Sequence, residues 1–358
     1  MGCNSSVVAT VHDVRTAQVS FEEDNKHAPV ATVKARDTSA PRSSKDVPPK
    51  FLSDISLDEL TKVQPLASGG FSVVYSCVFR GKVAVLKTPR MDCVDPEGAV
   101  ADLKREIATY RRLASGGGNA RLCKAFGSGM YVVNGEKRPF IVLERLKDYT
   151  LGHVLNAMRR AQAGGVKINK RRGTICPPLL SLAERLQLGL ELAQSLVYLH
   201  DEAVPGGFII HRDLKPNNIG FTREGHVKVI DLGLSAIRDK RQQLDEKYEM
   251  TGETGSKRFM APEVCKGSKY NEKADVYSFS ILLWEMCALA KPYARMGADE
   301  HYREVIENGL RPQLPKSWPE RLKHLLESCW HDDPDQRPNA RTVMHSMEKL
   351  VSQHNKKY

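Results

Sequence analysis

The chain has 358 residues, 41% of them hydrophobic and 27% charged, which fits a globular protein of one large two-lobed or two smaller domains. Lysine and arginine outnumber the acidic residues to leave a net charge of +11, pointing to anionic partners, yet no zinc-finger, RRM or heptad pattern supports nucleic acid. The eight cysteines are scattered with no CxxC pair, which argues against a disulfide framework or a structural zinc and for a reducing compartment.

Residues 1–55 read as a disordered tether, poor in aromatics and ending near PRSSKDVPPK. They open on MGCNSS, which fits M-G-x-x-x-[ST]: Gly2 becomes a myristoylation site once Met1 is lost, and Cys3 beside it is a palmitoylation candidate. An unmodified flexible start is the competing reading. One myristoyl chain binds membranes only marginally, so the second acyl group matters. The charges of residues 1–50, seven basic and six acidic, supply no polybasic patch. The expectation is anchoring at the cytoplasmic face of a membrane, the plasma membrane first, and otherwise a cytoplasmic protein.

Next comes LASGGFSVVY at 66–75, either an ordinary strand–turn–strand or a phosphate-covering loop short of two glycines. Two short strands between Phe71 and Val85 turn near Arg80-Gly81, and Ala101 to Leu113 is an amphipathic helix. Tyr131–Val133 and Phe140–Leu143 pair around Asn134-Gly135, a type I′ turn sequence. After Glu144 the pattern turns helical, at 181–200, 274–290, 299–308, 319–330 and 338–352. A β-rich part followed by a helical part predicts two lobes. The run 279–290 is apolar but short and interrupted by Glu285, so it reads as a core helix and not a membrane span. Between Tyr149 and Ala183 there is no acidic residue, while Arg159, Arg160, Lys167, Lys170, Arg171 and Arg172 are present. This basic insert, near 158–178, is a solvated loop or a docking surface for an acidic partner.

The strongest signal is IIHRDLKPNNIGF at 209–221, which carries H-R-D-L-x-x-x-N in His211, Arg212, Asp213, Leu214 and Asn218. With VAVLK at 83–87, IDLGL at 230–234 and APE at 261–263 in the same order, the chain resembles a eukaryotic protein kinase over about residues 60–350. The resemblance implies an α+β, two-lobed fold: a β-rich N-lobe with one regulatory helix (56–143), then a hinge and mainly helical C-lobe (144–352) and a tail (353–358). It implies ATP and Mg²⁺ as cosubstrate and cofactor, and protein substrates. Phosphoryl transfer asks for positioning and charge compensation more than covalent chemistry. Asp213 would orient the attacking hydroxyl and accept its proton, with Lys215 and Asn218 beside it. Asn218 and Asp231 would hold the metal, oxygen ligands suiting a hard cation.

In the first lobe Lys87 would hold the α/β-phosphates, paired with Glu106; Asp102, one turn earlier, is the competing partner. Leu66, Ala67, Gly69, Val74 and Ala84 would surround the nucleotide. Leu143 would be the gatekeeper, followed by Glu144, Arg145 and Leu146 as the hinge. Aligned to G-x-G-x-x-G-x-V, only the middle glycine keeps its place, as Gly69, and Ala67 and Ser72 stand for the outer two. Altered nucleotide affinity is expected, not its loss. Asp275 would hold the catalytic loop and Arg337 would pair with Glu263.

Lys215 in HRDLKPNN and Ser256 in GSKRFMAPE favour serine/threonine specificity, and VYSF, SCW and PDQRP resemble the tyrosine-kinase-like group. Arg212 implies regulation by phosphate on the activation segment, with Thr251 and Thr254 as sites and Ser256 nearby. Leu232 replaces the usual Phe of Asp-Phe-Gly without removing its apolar character. The rival readings are a pseudokinase scaffold, supported only by the degraded glycine loop, and a nucleic-acid binder, which has no motif.

Overall fold

Burial alternates strictly along SVVYSCVF, with Val73, Tyr75, Cys77 and Phe79 inward, the period of a strand with one face on a core. The structure, a computed structural model, describes residues 52–115, 119–164, 179–239, 247, 248, 250 and 255–355. They gather into two units, one within Met1–Gly117 and Lys124–Arg145, the other within Gly118–Cys123 and Leu146–Tyr358.

The first unit is a six-stranded sheet with one long helix. Its strands are β1 (Ser53–Asp54), β2 (Leu60–Ser68), β3 (Ser72–Phe79), β4 (Lys82–Pro89), β5 (Ala125–Val133) and β6 (Glu136–Glu144), in the order β1-β5-β6-β4-β3-β2. Only β1 runs parallel to its neighbour. Asn134 and Gly135 both have positive φ, 52° and 82°, as a type I′ turn requires. Tyr75, Leu86, Phe140 and Val142 are fully buried at the centre of the core. At the open edge β2 pairs with β3 irregularly, its register shifting between Thr61 and Gln64 and between Pro65 and Ala67, with Lys62 at φ 54°.

Helix α1 (Pro96–Ser115) buries Ala99, Leu103, Glu106, Ile107, Tyr110 and Leu113, one face at three- and four-residue spacing. It starts five residues before the apolar pattern does, on a proline that suits a first helical turn. The tether expected through residue 55 ends earlier: Ser53 and Asp54 pair with Gly127 and Ser128, and Ile55 is buried. Two paired residues are too few to show a strand period.

The second unit contains α2 (Leu151–Gln162), α3 (Leu182–Val197, continued as a wider turn through Tyr198–Glu202), α4 (Pro262–Cys265), α5 (Lys273–Ala288), α6 (Ala298–His301), α7 (Glu320–Cys329) and α8 (Ala340–Asn355). Two small antiparallel ribbons join β7 (Gly207–Ile210) to β10 (Ala236–Asp239), and β8 (Ile219–Phe221) to β9 (Val227–Val229). Ser181 and Glu184 close a capping box at the start of α3, Glu184 N–H to Ser181 Oγ at 3.2 Å and Ser181 N–H to Glu184 Oε2 at 2.7 Å. Helix α5 is buried on every side from Lys273 to Cys287, as an all-round apolar helix must be. Arg337 holds Glu263 with both arms, at 2.7 and 2.9 Å. Among the described residues no helix is long and apolar enough to cross a membrane.

Two sequence boundaries move. The basic insert does not begin at 158, because α2 runs to Gln162 with Leu151, Val154, Leu155 and Met158 buried. Arg159 is not a docking charge either: it pairs with buried Glu285 at 2.9 Å. Lys167, Lys170, Arg171 and Arg172 lie outside the described residues. The tail begins later than 353, since α8 continues to Asn355.

Candidate active site

Strand register places the candidate residues of the first unit. Val74 on β3 lies opposite Lys87 on β4 and opposite Ala67 on β2, so the three form one row across the sheet. Ala84, three residues before Lys87, is buried opposite Glu144. Lys87 Nζ meets Glu106 Oε2 at 2.7 Å, with the two side chains 12% and 1% exposed. The competitor Asp102 is only half-buried and takes Arg105 at 2.6 Å. A carboxylate this buried persists because a cation meets it.

The Gly69–Phe71 turn follows, closed by Gly69 N–H donating to Ser72 O at 2.8 Å. Leu66, next to Ala67, is exposed. Leu143 is buried, and the Glu144 N–H is committed to Lys124 O at 2.9 Å. Leu146 belongs to the second unit and packs close to Gly220.

In the second unit the candidate residues lie on the loop that leaves β7. Asp213 is 8% exposed and both of its carboxylate oxygens are occupied. Oδ2 meets Lys215 Nζ at 2.6 Å and Asn218 Nδ2 at 3.0 Å, and Oδ1 accepts the Ser256 N–H at 2.9 Å. Asn218 Nδ2 also donates to Asp213 O at 2.9 Å, so both of these side-chain hydrogen bonds use the amide nitrogen, and the carbonyl oxygen is a ligand of the type that could hold a hard cation. Gly255 has φ +108°, and a Cβ there would stand 2.4 Å from Arg212 O. Only glycine lets the segment lie this close.

Beneath the loop, Asp275 is wholly buried on α5 and accepts the N–H groups of His211 at 2.8 Å and Arg212 at 2.9 Å, together with His200 Nε2 at 2.9 Å. Burial pushes its carboxyl up, but the His200 hydrogen bond and the nearby histidines outweigh that and hold it below the usual carboxylate range. Arg212 sits at φ 67°, a conformation L-residues rarely adopt, which the two Asp275 bonds fix. Its guanidinium donates to Leu234 O and to Tyr270 Oη. Asp231 is likewise at φ 64° and accepts a long bond from Gly233 N–H at 3.4 Å. Leu232 beside it is fully buried. Gly2, Cys3, Thr251 and Thr254 lie outside the described residues.

Three contributors were absent from the motif reading. His200 carries no motif signal of its own. Ser256 meets Asp213 through its backbone N–H, which the side-chain type does not announce. Arg90, in the plain stretch KTPRMD, touches the Gly69–Phe71 turn.

A sheet with a Lys–Glu pair in one unit, and a helical body with an Asp–Lys–Asn loop in the other, define the protein kinase fold. Residues 60–347 match the family described as protein tyrosine and serine/threonine kinase, and the chain belongs to that family. It is 30% identical over 288 residues to the serine/threonine-protein kinase VIK of Arabidopsis thaliana, covering 80% of this chain and 58% of that one. It is 29% identical over 303 residues to a probable serine/threonine-protein kinase of Dictyostelium discoideum, 84% of this chain and 29% of the other. It is also 28% identical over 300 residues to mitogen-activated protein kinase kinase kinase 7 of Drosophila melanogaster, 83% and 38% of the two chains. The chain thus spans between 29% and 58% of the length of these relatives.

Proposed function

We propose that the chain is an active protein kinase that transfers the γ-phosphate of ATP to serine and threonine hydroxyls of protein substrates. The observation that carries this is Asp213: a nearly buried carboxylate held by Lys215, Asn218 and the Ser256 amide. In that position it can orient a hydroxyl and take its proton. Lys215, 2.6 Å from the same carboxylate, offsets negative charge that develops during transfer. Lys87, kept in place by Glu106, holds the α- and β-phosphates, and the Ala67–Val74–Lys87 row with Ala84 forms the surface for the nucleotide. Asn218 and Asp231 fit Mg²⁺ in donor type, an amide carbonyl and a carboxylate. The ion, when bound, neutralises phosphate charge.

The names of the relatives support serine/threonine specificity, as do Lys215 and the sequence around Ser256. Every charged member of the set (Lys87, Glu106, Asp213, Asp231) is present, together with Asn218, so an inactive scaffold has no residue in its favour beyond the short glycine loop. The MGCNSS start supports acylation at Gly2 and Cys3 and work at a membrane surface. The test is γ-phosphate transfer to a generic basic protein with Mg²⁺, beside Asp213→Asn. The variant is expected to lose about 10²- to 10⁴-fold in rate, the range of a general base, while still binding nucleotide. Equal rates in both proteins would refute the assignment, and phosphoamino-acid analysis reads the specificity.

A further inference from the structure

The turn between β2 and β3 keeps Gly69 and Gly70 but has Ala67 and Ser72 where the kinase pattern has its outer glycines. Something other than glycine freedom then has to set which way its amides point. Arg90, just past the end of β4 and three residues beyond Lys87, reaches the turn twice. Its backbone N–H donates to Phe71 O at 2.9 Å, and its Nη1 donates to Gly69 O at 2.9 Å. Asp92 aims the guanidinium, accepting from Nε at 2.8 Å and from Nη2 at 3.3 Å. This two-armed geometry is open to arginine and not to lysine.

A trans peptide is planar, with its C=O and the next N–H pointing in opposite directions. Drawing the Gly69 carbonyl towards the Arg90 guanidinium therefore turns the Gly70 N–H away from it, while the Phe71 bond, made by the backbone at position 90, orients the Ser72 N–H whatever side chain stands there. At Gly70 no heavy atom lies within 4 Å of where a Cβ would stand, so the space beside it is open. Backbone N–H groups presented together in a turn are a general means of holding an anion.

The geometry points to Arg90 as a positioning residue for phosphate binding, which fixes the amide orientation of the loop in place of the absent glycines and is itself aimed by Asp92. This rests on the nucleotide reading above. An exposed Arg–Asp pair with no such role contributes almost nothing, which gives the alternative a clear signature.

The experiment uses the full chain with Arg90→Ala, Arg90→Lys and Asp92→Asn. Amide hydrogen exchange across residues 66–75 without nucleotide is expected to quicken in Arg90→Ala, and unchanged exchange overturns the proposal whatever the protein binds. Dissociation constants for Mg-ATP and for adenosine, which lacks phosphates, form the second measurement. The ATP constant should rise about tenfold in Arg90→Ala, the size of one charge-assisted hydrogen bond. It should rise less in Arg90→Lys and Asp92→Asn, with adenosine unaffected in all three. Parallel losses for both ligands indicate general damage to the sheet and overturn the proposal, as do two unchanged constants. Wild-type protein that binds no ATP refutes the kinase reading instead, and loop exchange alone then decides the role of Arg90.

Discussion

Glu106 and Asp102 stand one helical turn apart, and the sequence favours Glu106 as the partner of Lys87 because apolar and aromatic residues follow it. Glu106 falls on the buried face with Leu103, Ile107 and Tyr110, and Lys87 reaches it at 2.7 Å, while Asp102 is held by Arg105. The two positions should behave very differently. Glu106→Gln is expected to lower kcat/KM about 10- to 100-fold, through loss of one hydrogen-bonded charge pair. Asp102→Asn should leave it within about twofold, as an exposed helix pair contributes little. Steady-state kinetics at varied ATP checks both, and a larger effect at Asp102 would reverse the assignment. Residues whose chemistry lies in the side chain, such as Lys87, Asp213 and Asn218, were legible because spacing and type are visible in a sequence. The Ser256 contact was not, because a backbone N–H is common to every residue but proline and only folding selects which one meets Asp213.

Helices with one apolar face and the hairpins at Arg80-Gly81 and Asn134-Gly135 are legible as elements, with ends a few residues off where caps or pairing decide them. Helix α2 carries its period in Leu151, Val154, Leu155 and Met158, but Arg159 and Arg160 give its last turn the look of the basic insert that follows. At this scale Asp275 on α5 ties three parts of the chain together, through His200, His211 and Arg212. Its carboxyl is held below its unfolded value of about 3.9. The folded state therefore binds fewer protons than the unfolded one between those two values. The stability from Asp275 is complete above about pH 4 and is lost as pH falls through the folded-state value. Thermal unfolding from pH 6 to pH 3 should show a steeper acid decline for wild type than for Asp275→Asn. The variant should also be less stable at pH 6 by about 1–3 kcal/mol, the cost of weakened buried hydrogen bonds. Curves that run parallel through the acid limb would remove this role.

For the molecule as a whole, the net charge of +11 narrowed partners only to anions, and the order of the kinase motifs had to supply the rest. The proposed membrane attachment through MGCNSS belongs to this scale, since it concerns where the whole chain would work. Gly2→Ala is expected to move most of the protein from the membrane to the soluble fraction of cells, and Cys3→Ser should do so in part, because one acyl chain binds only marginally. Fractionation that Gly2→Ala leaves unaltered would exclude acylation as the anchor. The shifted register of β2 also matters beyond its own unit. A straight, nine-residue edge would offer a neighbouring copy a matching row of backbone donors and acceptors. Pro65 has no N–H to offer, and Lys62, in the left-handed region within the strand, breaks the line of the others. The strand that leads into the Gly69–Phe71 turn is thereby a poor template for strand exchange between crowded copies.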